Sequence, residues 1–277
     1  MKKTLFFLSL TLLSISCNDD GVAPVKETNN ALVTRISRNG ITALEFFYDV
    51  DRRLSRVNSY FLGNFSTYIL YEYNEDGLKE LRRYDADDHS LDYRSVFTLD
   101  NFGRVIKAEN YSKPDFFDEV ASLSKFHYNS SGQLIVKEFS TDGSSFYYRE
   151  EYDYDADGNL IKQQRTYYPN QDEEYVGSLS EFSPGSQLVP ELWENNVFTM
   201  GISGFDDEIL IMFITEIHYK GWNSNGVLSS ESNTEMSGRE YDEDGKLTGQ
   251  VMTRKNVLNP QNPDEVKVMT YEYTKGD

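Results

Sequence analysis

The chain is poor in the side chains that most protein chemistry uses. Cys17 is its only cysteine, so no intramolecular disulfide can form. A Gly-x-Ser-x-Gly elbow, a phosphate-binding glycine loop and a cysteine nucleophile are all missing. Histidines number three: His89, His127 and His218. His127 and His218 each precede a tyrosine in the same local setting, so a shared metal site would need their strands adjacent and a third ligand. They read as solvent-facing polar positions. Basic residues are scarce, 27 against 46 acidic ones, and without Lys2 and Lys3 the balance is 25 to 46, or −21. That field repels nucleic-acid phosphates and anionic lipid heads, which need basic patches. It favours solubility at a crowded surface.

What is present begins with an address. Met1-Lys2-Lys3 leads into an apolar run from Leu5 to Ile15, followed by Ser16-Cys17. This is a secretory signal, too short to remain as a membrane span. A lone cysteine at the cut resembles the lipid-acceptor cysteine of bacterial lipoproteins, although Ser14 stands where that family usually has leucine. The resemblance implies a signal peptide over 1–16, lipidation at Cys17 and attachment to the membrane through that lipid. Asn18-Asp19-Asp20-Gly21 resembles the acidic export signal of some outer-membrane lipoproteins, which implies an outer-membrane protein facing the cell exterior. Residues 17–35 read as a lipidated tether and 36–277 as the folded domain.

A tyrosine-led turn recurs through that domain. Its clearest copies are Tyr154-Asp-Ala-Asp-Gly158-Asn-Leu160 and Tyr241-Asp-Glu-Asp-Gly245-Lys-Leu247. Looser copies start at Tyr48, Tyr73, Leu99, Tyr128, Tyr219 and Tyr273. An aromatic two residues before the tyrosine puts two rings on one strand face. The Asp or Asn that follows can accept a backbone N–H two residues on. The glycine supplies positive φ, and leucine opens the returning strand. Starts at 48, 73, 99, 128 and 154 imply one hairpin per unit.

These stretches resemble the YD-repeat family of RHS-type surface and toxin-shell proteins, over roughly 44–167 and 217–277. The resemblance implies an extended antiparallel sheet of serial β-hairpins, curved or partly rolled and too small to enclose a cargo. The fold class expected is therefore all-β, with one irregular insertion at 168–215. Pro190 to Phe198 suits a short helix there, and Ile209 to Ile214 is the longest apolar run of the mature protein.

Candidate chemistry is thin. Asp153-x-Asp155-x-Asp157-Gly158 opens like a calcium loop, but its twelfth position is Gln164 rather than glutamate. It reads as a plain turn. Glu150-Glu151 and Asp172-Glu173-Glu174 read as solvated charge runs, with chance pairs at glycosidase spacing. No metal or cofactor is expected. Most of the 20 tyrosines and 17 phenylalanines are expected in cross-strand pairs. Ligand contact is assigned to Trp193, Phe198 and Phe205 of the insertion and to Trp222. The function expected is a lipid-anchored envelope binding or scaffolding module without catalysis, its partner a glycan or an envelope protein and not nucleic acid. A surface glycan hydrolase with a carboxylate pair is the alternative.

Overall fold

The computed structural model describes residues 32–112, 120–141, 146–170, 173–184 and 214–274. Sixteen strands follow in order: β1 (Val33–Arg38), β2 (Ile41–Tyr48), β3 (Leu54–Phe61), β4 (Asn64–Asn74), β5 (Gly77–Asp85), β6 (Leu91–Leu99), β7 (Val105–Ser112) and β8 (Ser122–Tyr128). Then come β9 (Leu134–Ser140), β10 (Tyr148–Tyr154), β11 (Leu160–Asn170), β12 (Glu173–Pro184), β13 (Ile214–Trp222), β14 (Leu228–Tyr241), β15 (Leu247–Asn256) and β16 (Glu265–Tyr273). Each pairs antiparallel with its sequence neighbours, and β1 pairs with β16, from Val33↔Tyr273 to Arg38↔Met269.

The result is a closed barrel, which overturns the expected extended, partly rolled sheet. The physical reason is accumulated twist. A twisted sheet of more than about ten strands curls. A bulge at almost every tyrosine-led turn sharpens the bend, for example between Phe47 and Tyr48, and between Asp153 and Tyr154. Once β1 meets β16, neither edge is left exposed.

The expected insertion also shrinks. Strand β11 carries the barrel through 168–170 and β12 through 173–184, and β13 resumes at Ile214. No helix occurs among the described residues. The proposed helix at 190–198 and most of the apolar run lie outside them.

The turns follow the predicted chemistry. Asp49 Oδ1 accepts the N–H of Asp51 and of Arg53, both at 2.9 Å. The same double acceptance recurs at Asp100, Asn129, Asp155, Asn223 and Asp242. Gly158 sits at φ 88°, and Arg52 takes φ 63° where a glycine is missing. The residue after the glycine returns to the turn's acid and reaches the next tyrosine. Arg104 pairs with Asp100 and lies 4.7 Å over the Tyr128 ring. Five of the repeat tyrosines in turn donate to a backbone carbonyl of the preceding unit: Tyr48 to Val33, Tyr73 to Leu54, Tyr128 to Val105, Tyr154 to Leu134 and Tyr273 to Leu247, at 2.7–2.9 Å. Burial raises the Tyr154 hydroxyl pKa to about 12.

One assignment moves. The copy expected at Tyr219 is Trp222-Asn-Ser-Asn-Gly226-Val-Leu228, with its bulge at Trp222↔Leu228. It lies on the opposite rim from the turns after Tyr48, Tyr73, Leu99, Tyr128, Tyr154 and Tyr241. The rim holding those six turns is called the turn rim below, and the other the mouth.

The alternating pairs divide the sheet into two unlike faces. One carries a continuous core that includes Ile36, Leu44, Phe46, Val57, Leu81, Phe97, Val105, Phe126 and Met269, with Ile36 0% exposed and Leu81 1%. This face is concave, because its side chains from β1 to β9, β15 and β16 pack into one core across the closed sheet. The convex face carries charge on strand after strand, among them Glu80, Arg94, Lys125, Glu138, Arg149, Lys162, His218 and Glu231. A sixteen-strand wall around an open lumen would leave a channel. Here apolar side chains plug the lumen toward the turn rim.

Candidate functional site in the barrel mouth

Toward the mouth the concave face becomes polar, most of all on β10–β14. Three cross-strand rows define this region. The first runs Lys137, Glu150, Arg165, Ser178, Gly221 and Ser230, each directly opposite the next. A second runs Gln163, Ser180, Tyr219, Ser232 and Asn256. The third joins Thr234, Arg254 and Glu265.

Glu150 anchors the first row. Its side chain is 2% exposed, so the reading of Glu150-Glu151 as a solvated run fails for Glu150. Strand alternation puts Glu151 on the convex face, where Arg149 pairs with it at 3.1 Å. Arg165 Nε donates to Glu150 Oε1 at 2.8 Å, and its Nη2 makes a second contact with that oxygen. Tyr152 Oη donates to Oε2 at 2.9 Å, and Lys137 Nζ lies 3.5 Å from it. Burial pushes the carboxyl pKa up, but the charges of Lys137 and Arg165 and the hydrogen bonds from Arg165 and Tyr152 outweigh it, so Glu150 is held below the ordinary carboxylate range. Burial likewise opposes the charge on Arg165, and the field of Glu150 overcomes it and raises its pKa.

Aromatic rings stand beside this triad. Tyr148 stacks on Phe139 with centroids 4.8 Å apart, Tyr167 stacks on Tyr175 at 5.4 Å, and Tyr148 and Tyr167 meet edge to face. All three are opposed cross-strand pairs, as the sequence predicts. The Arg165 guanidinium lies 4.8 Å over the Tyr148 ring. Gly177 permits this packing, since a Cβ there would stand 2.2 Å from the Tyr167 ring.

Beyond the rings the wall carries Ser178, Ser180, Gly221, Ser230 and Ser232, with the Tyr219 ring lying against Gly221. On the far side Arg254 Nε donates to Ser232 Oγ at 3.2 Å, and Lys267 pairs with Glu265 at 2.8 Å. Among the described residues, cations therefore outnumber acids on the polar concave face: Arg38, Arg83, Lys137, Arg165, Arg254 and Lys267 against Asp85, Asp92, Glu150 and Glu265. The chain as a whole has a formal charge of −19.

The residues singled out from sequence fall elsewhere. Cys17, Trp193, Phe198 and Phe205 lie outside the described residues. Trp222 is half-buried at a mouth-rim turn, in the slot that tyrosine fills in the other copies. His127 and His218 sit on β8 and β13, which are not neighbours, and contact Glu138 and Glu231 at 3.1 and 3.0 Å. Asp155 spends its carboxylate on its own turn, and no metal-binding group of acids, histidines and cysteines occurs among the described residues. Lys137, Glu150 and Arg165 were missed. The signal was there: Glu150 shares the alternation of Tyr148, Tyr152 and Tyr154 and so must point inward with them.

No family model matches the chain, and no curated protein matches it. Among solved structures it is similar to a porin-like protein from Bacteroides uniformis, with TM-score 0.55 and 14% identity, covering 87% of this chain and 96% of that one. A porin-like protein from Bacteroides vulgatus matches with TM-score 0.37 and 8% identity over 87% and 98% of the two chains. A TcdB2-TccC3-Cdc42 assembly matches with TM-score 0.33 and 13% identity, over 86% of this chain and 14% of that one. The first likeness is one of fold: an all-β barrel.

Proposed function

We propose that the protein is a YD-repeat-type barrel lipoprotein of the outer membrane, tethered through acylated Cys17, that binds a ligand without catalysis in its solvent-facing mouth. The observation that carries this reading is the distribution of charge. A barrel that crosses a bilayer shows lipid an apolar band about 25 Å tall and keeps its polar groups inside. This barrel differs: outside, ionic ladders interrupt apolar residues such as Phe47, Leu70 and Val268, and inside an apolar plug fills the end toward the turn rim. A cation at the bilayer midplane costs about 2–4 kcal/mol, and the convex face would take many charges there. An envelope location agrees with the porin-like neighbour, but lipid attachment rather than spanning accounts for the surface. Val33 starts β1 at the turn rim, so the tether joins the plugged end and the mouth points away from the anchor. Its fifteen residues, 18–32, reach at most about 50 Å.

Membrane fractionation of Cys17→Ala tests the anchor. Release into the soluble fraction after a high-salt wash supports it, and retention in the membrane contradicts it. Neutralising Glu150 would identify a hydrolase only if a measured activity were lost from a protein that stayed folded.

A further inference from the structure

The mouth has a chemistry of its own, and its charge opposes that of the rest of the molecule. Arg165 on β11 and Arg254 on β15 bracket a wall of hydroxyl-bearing residues on β12–β14, namely Ser178, Ser180, Tyr219 and Ser230. Four strand spacings separate them, about 19 Å along the sheet. That is too long for one small ion and suits an extended chain of linked units. Arg165 has two of its nitrogens on Glu150, and its Nη1 reaches Tyr167 Oη only at 3.5 Å. Its side chain is 37% exposed, so that edge of the guanidinium faces the lumen. Arg254 is exposed, stands opposite Glu265 and bonds Ser232 through Nε–H; its guanidinium is a fork of donors that matches a carboxylate. Between them Ser178, Ser180 and Ser230 offer hydroxyls that both donate and accept, while Ser232 is buried beneath Arg254. The Tyr148, Tyr167 and Tyr175 rings border the band. Carboxylates spaced along a hydroxyl-rich chain describe an acidic oligosaccharide. The acidic exterior repels long polyanions lying across it, so a short chain end entering the lumen is favoured over nucleic acid.

We propose that the concave band from Arg165 to Arg254 binds a short uronic-acid oligosaccharide, whose carboxylates sit on Arg254 and the free edge of Arg165 and whose hydroxyls meet the serines. This rests on the binding-module reading above and adds the ligand class. The test is calorimetric titration of the full-length lipoprotein in mild detergent with a galacturonate tetramer and, in parallel, a neutral glucose tetramer. The galacturonate should bind, more weakly as salt rises, while the neutral tetramer does not. Arg254→Gln should weaken binding about tenfold or more, the loss of a charge-assisted hydrogen bond. Arg254→Lys, which keeps the charge and loses the fork, should fall between. Both variants must melt with the parent, as expected for an exposed side chain. Equal binding of the two tetramers, or binding unchanged in Arg254→Gln, overturns the acidic-ligand assignment and leaves the binding module standing. No binding of either tetramer to the folded protein overturns the saccharide assignment as well. Capture of an envelope protein by the same preparation, lost in Arg254→Gln, would then place a protein partner at the mouth. A mouth that captures nothing defeats the binding-module reading itself.

Discussion

From β1 to β9, concave positions hold Ile36, Phe46, Val57, Ile69, Leu81, Phe97, Ala108 and Phe126, which merge into one core with Met269 and Tyr271. From β11 to β14 they hold Gln163, Arg165, Ser178, Ser180, Tyr219, Gly221, Ser230, Ser232 and Thr234 beside the Tyr167 and Tyr175 rings, and the apolar packing is smaller, with Phe182 buried and Met236, Met252 and Ile217 in a separate cluster. The hairpin is the same in both regions, with the same Asx turn and positive-φ glycine. The turn therefore specifies the barrel wall and leaves the lining free to vary. One arc of lining fills the barrel and stabilises it. The other gives up burial for hydroxyls and paired charges.

This comparison can be broken at several points. Glu150, at the seam between the two arcs, should give the largest effect. Glu150→Gln leaves Lys137 buried without its counter-charge and should cost about 3–5 kcal/mol in urea unfolding. Because folding depresses the Glu150 pKa, its stabilisation is present above the ordinary carboxylate range and is lost as pH falls through the folded-state value. Wild type should therefore lose stability on acidification, and the Gln variant should lose less.

Within the filled arc, Leu81→Ala should cost about 2–5 kcal/mol, because it opens a cavity in a close-packed plug. Ser178→Ala, on the hydroxyl-lined arc, should stay within about 0.5 kcal/mol. Equal losses for the two would mean that both arcs are core.

The turns should behave alike whichever arc they serve. Gly158→Val and Gly245→Val should each cost about 1–3 kcal/mol, since both glycines have positive φ, 88° and 81°, and a β-branched residue resists it. A smaller change is expected at the tyrosines. Tyr154→Phe, losing the 2.8 Å bond to the Leu134 carbonyl, should cost about 0.5–1.5 kcal/mol. Tyr241→Phe, at a ring 45% exposed, should be near neutral. Folding raises the Tyr154 pKa to about 12, so its contribution is intact below pH 10 and fades as pH climbs toward the folded value.

The unit of this fold was legible because it is local. Asp155, Gly158 and Leu160 lie within six residues, and each has a fixed task in one turn. Closure was not legible, because it depends on Val33 meeting Tyr273, a register written nowhere in the intervening chain. Strand β12 hid for another reason. Its apolar residues Val176, Leu179 and Phe182 do not keep period two, and the register shift between Arg165 and Thr166 sends the first two outward and the third inward. The turn copy expected at Tyr219 starts at Trp222 instead, because tryptophan is an unusual occupant of the tyrosine slot. The mouth was half legible. Alternation placed Glu150 on the tyrosine face, but only the fold brings Lys137 and Arg165 to it from flanking strands.

The proposed function requires a barrel solvated on its outer face and held to the envelope by lipid alone. Sedimentation velocity of the Cys17→Ala chain, made with its signal and kept free of detergent, tests this. A single monodisperse species with a β-sheet circular dichroism spectrum is the predicted result. A chain that aggregates, and becomes monodisperse and folded only when detergent covers it, would contradict the charged-outside, apolar-inside barrel.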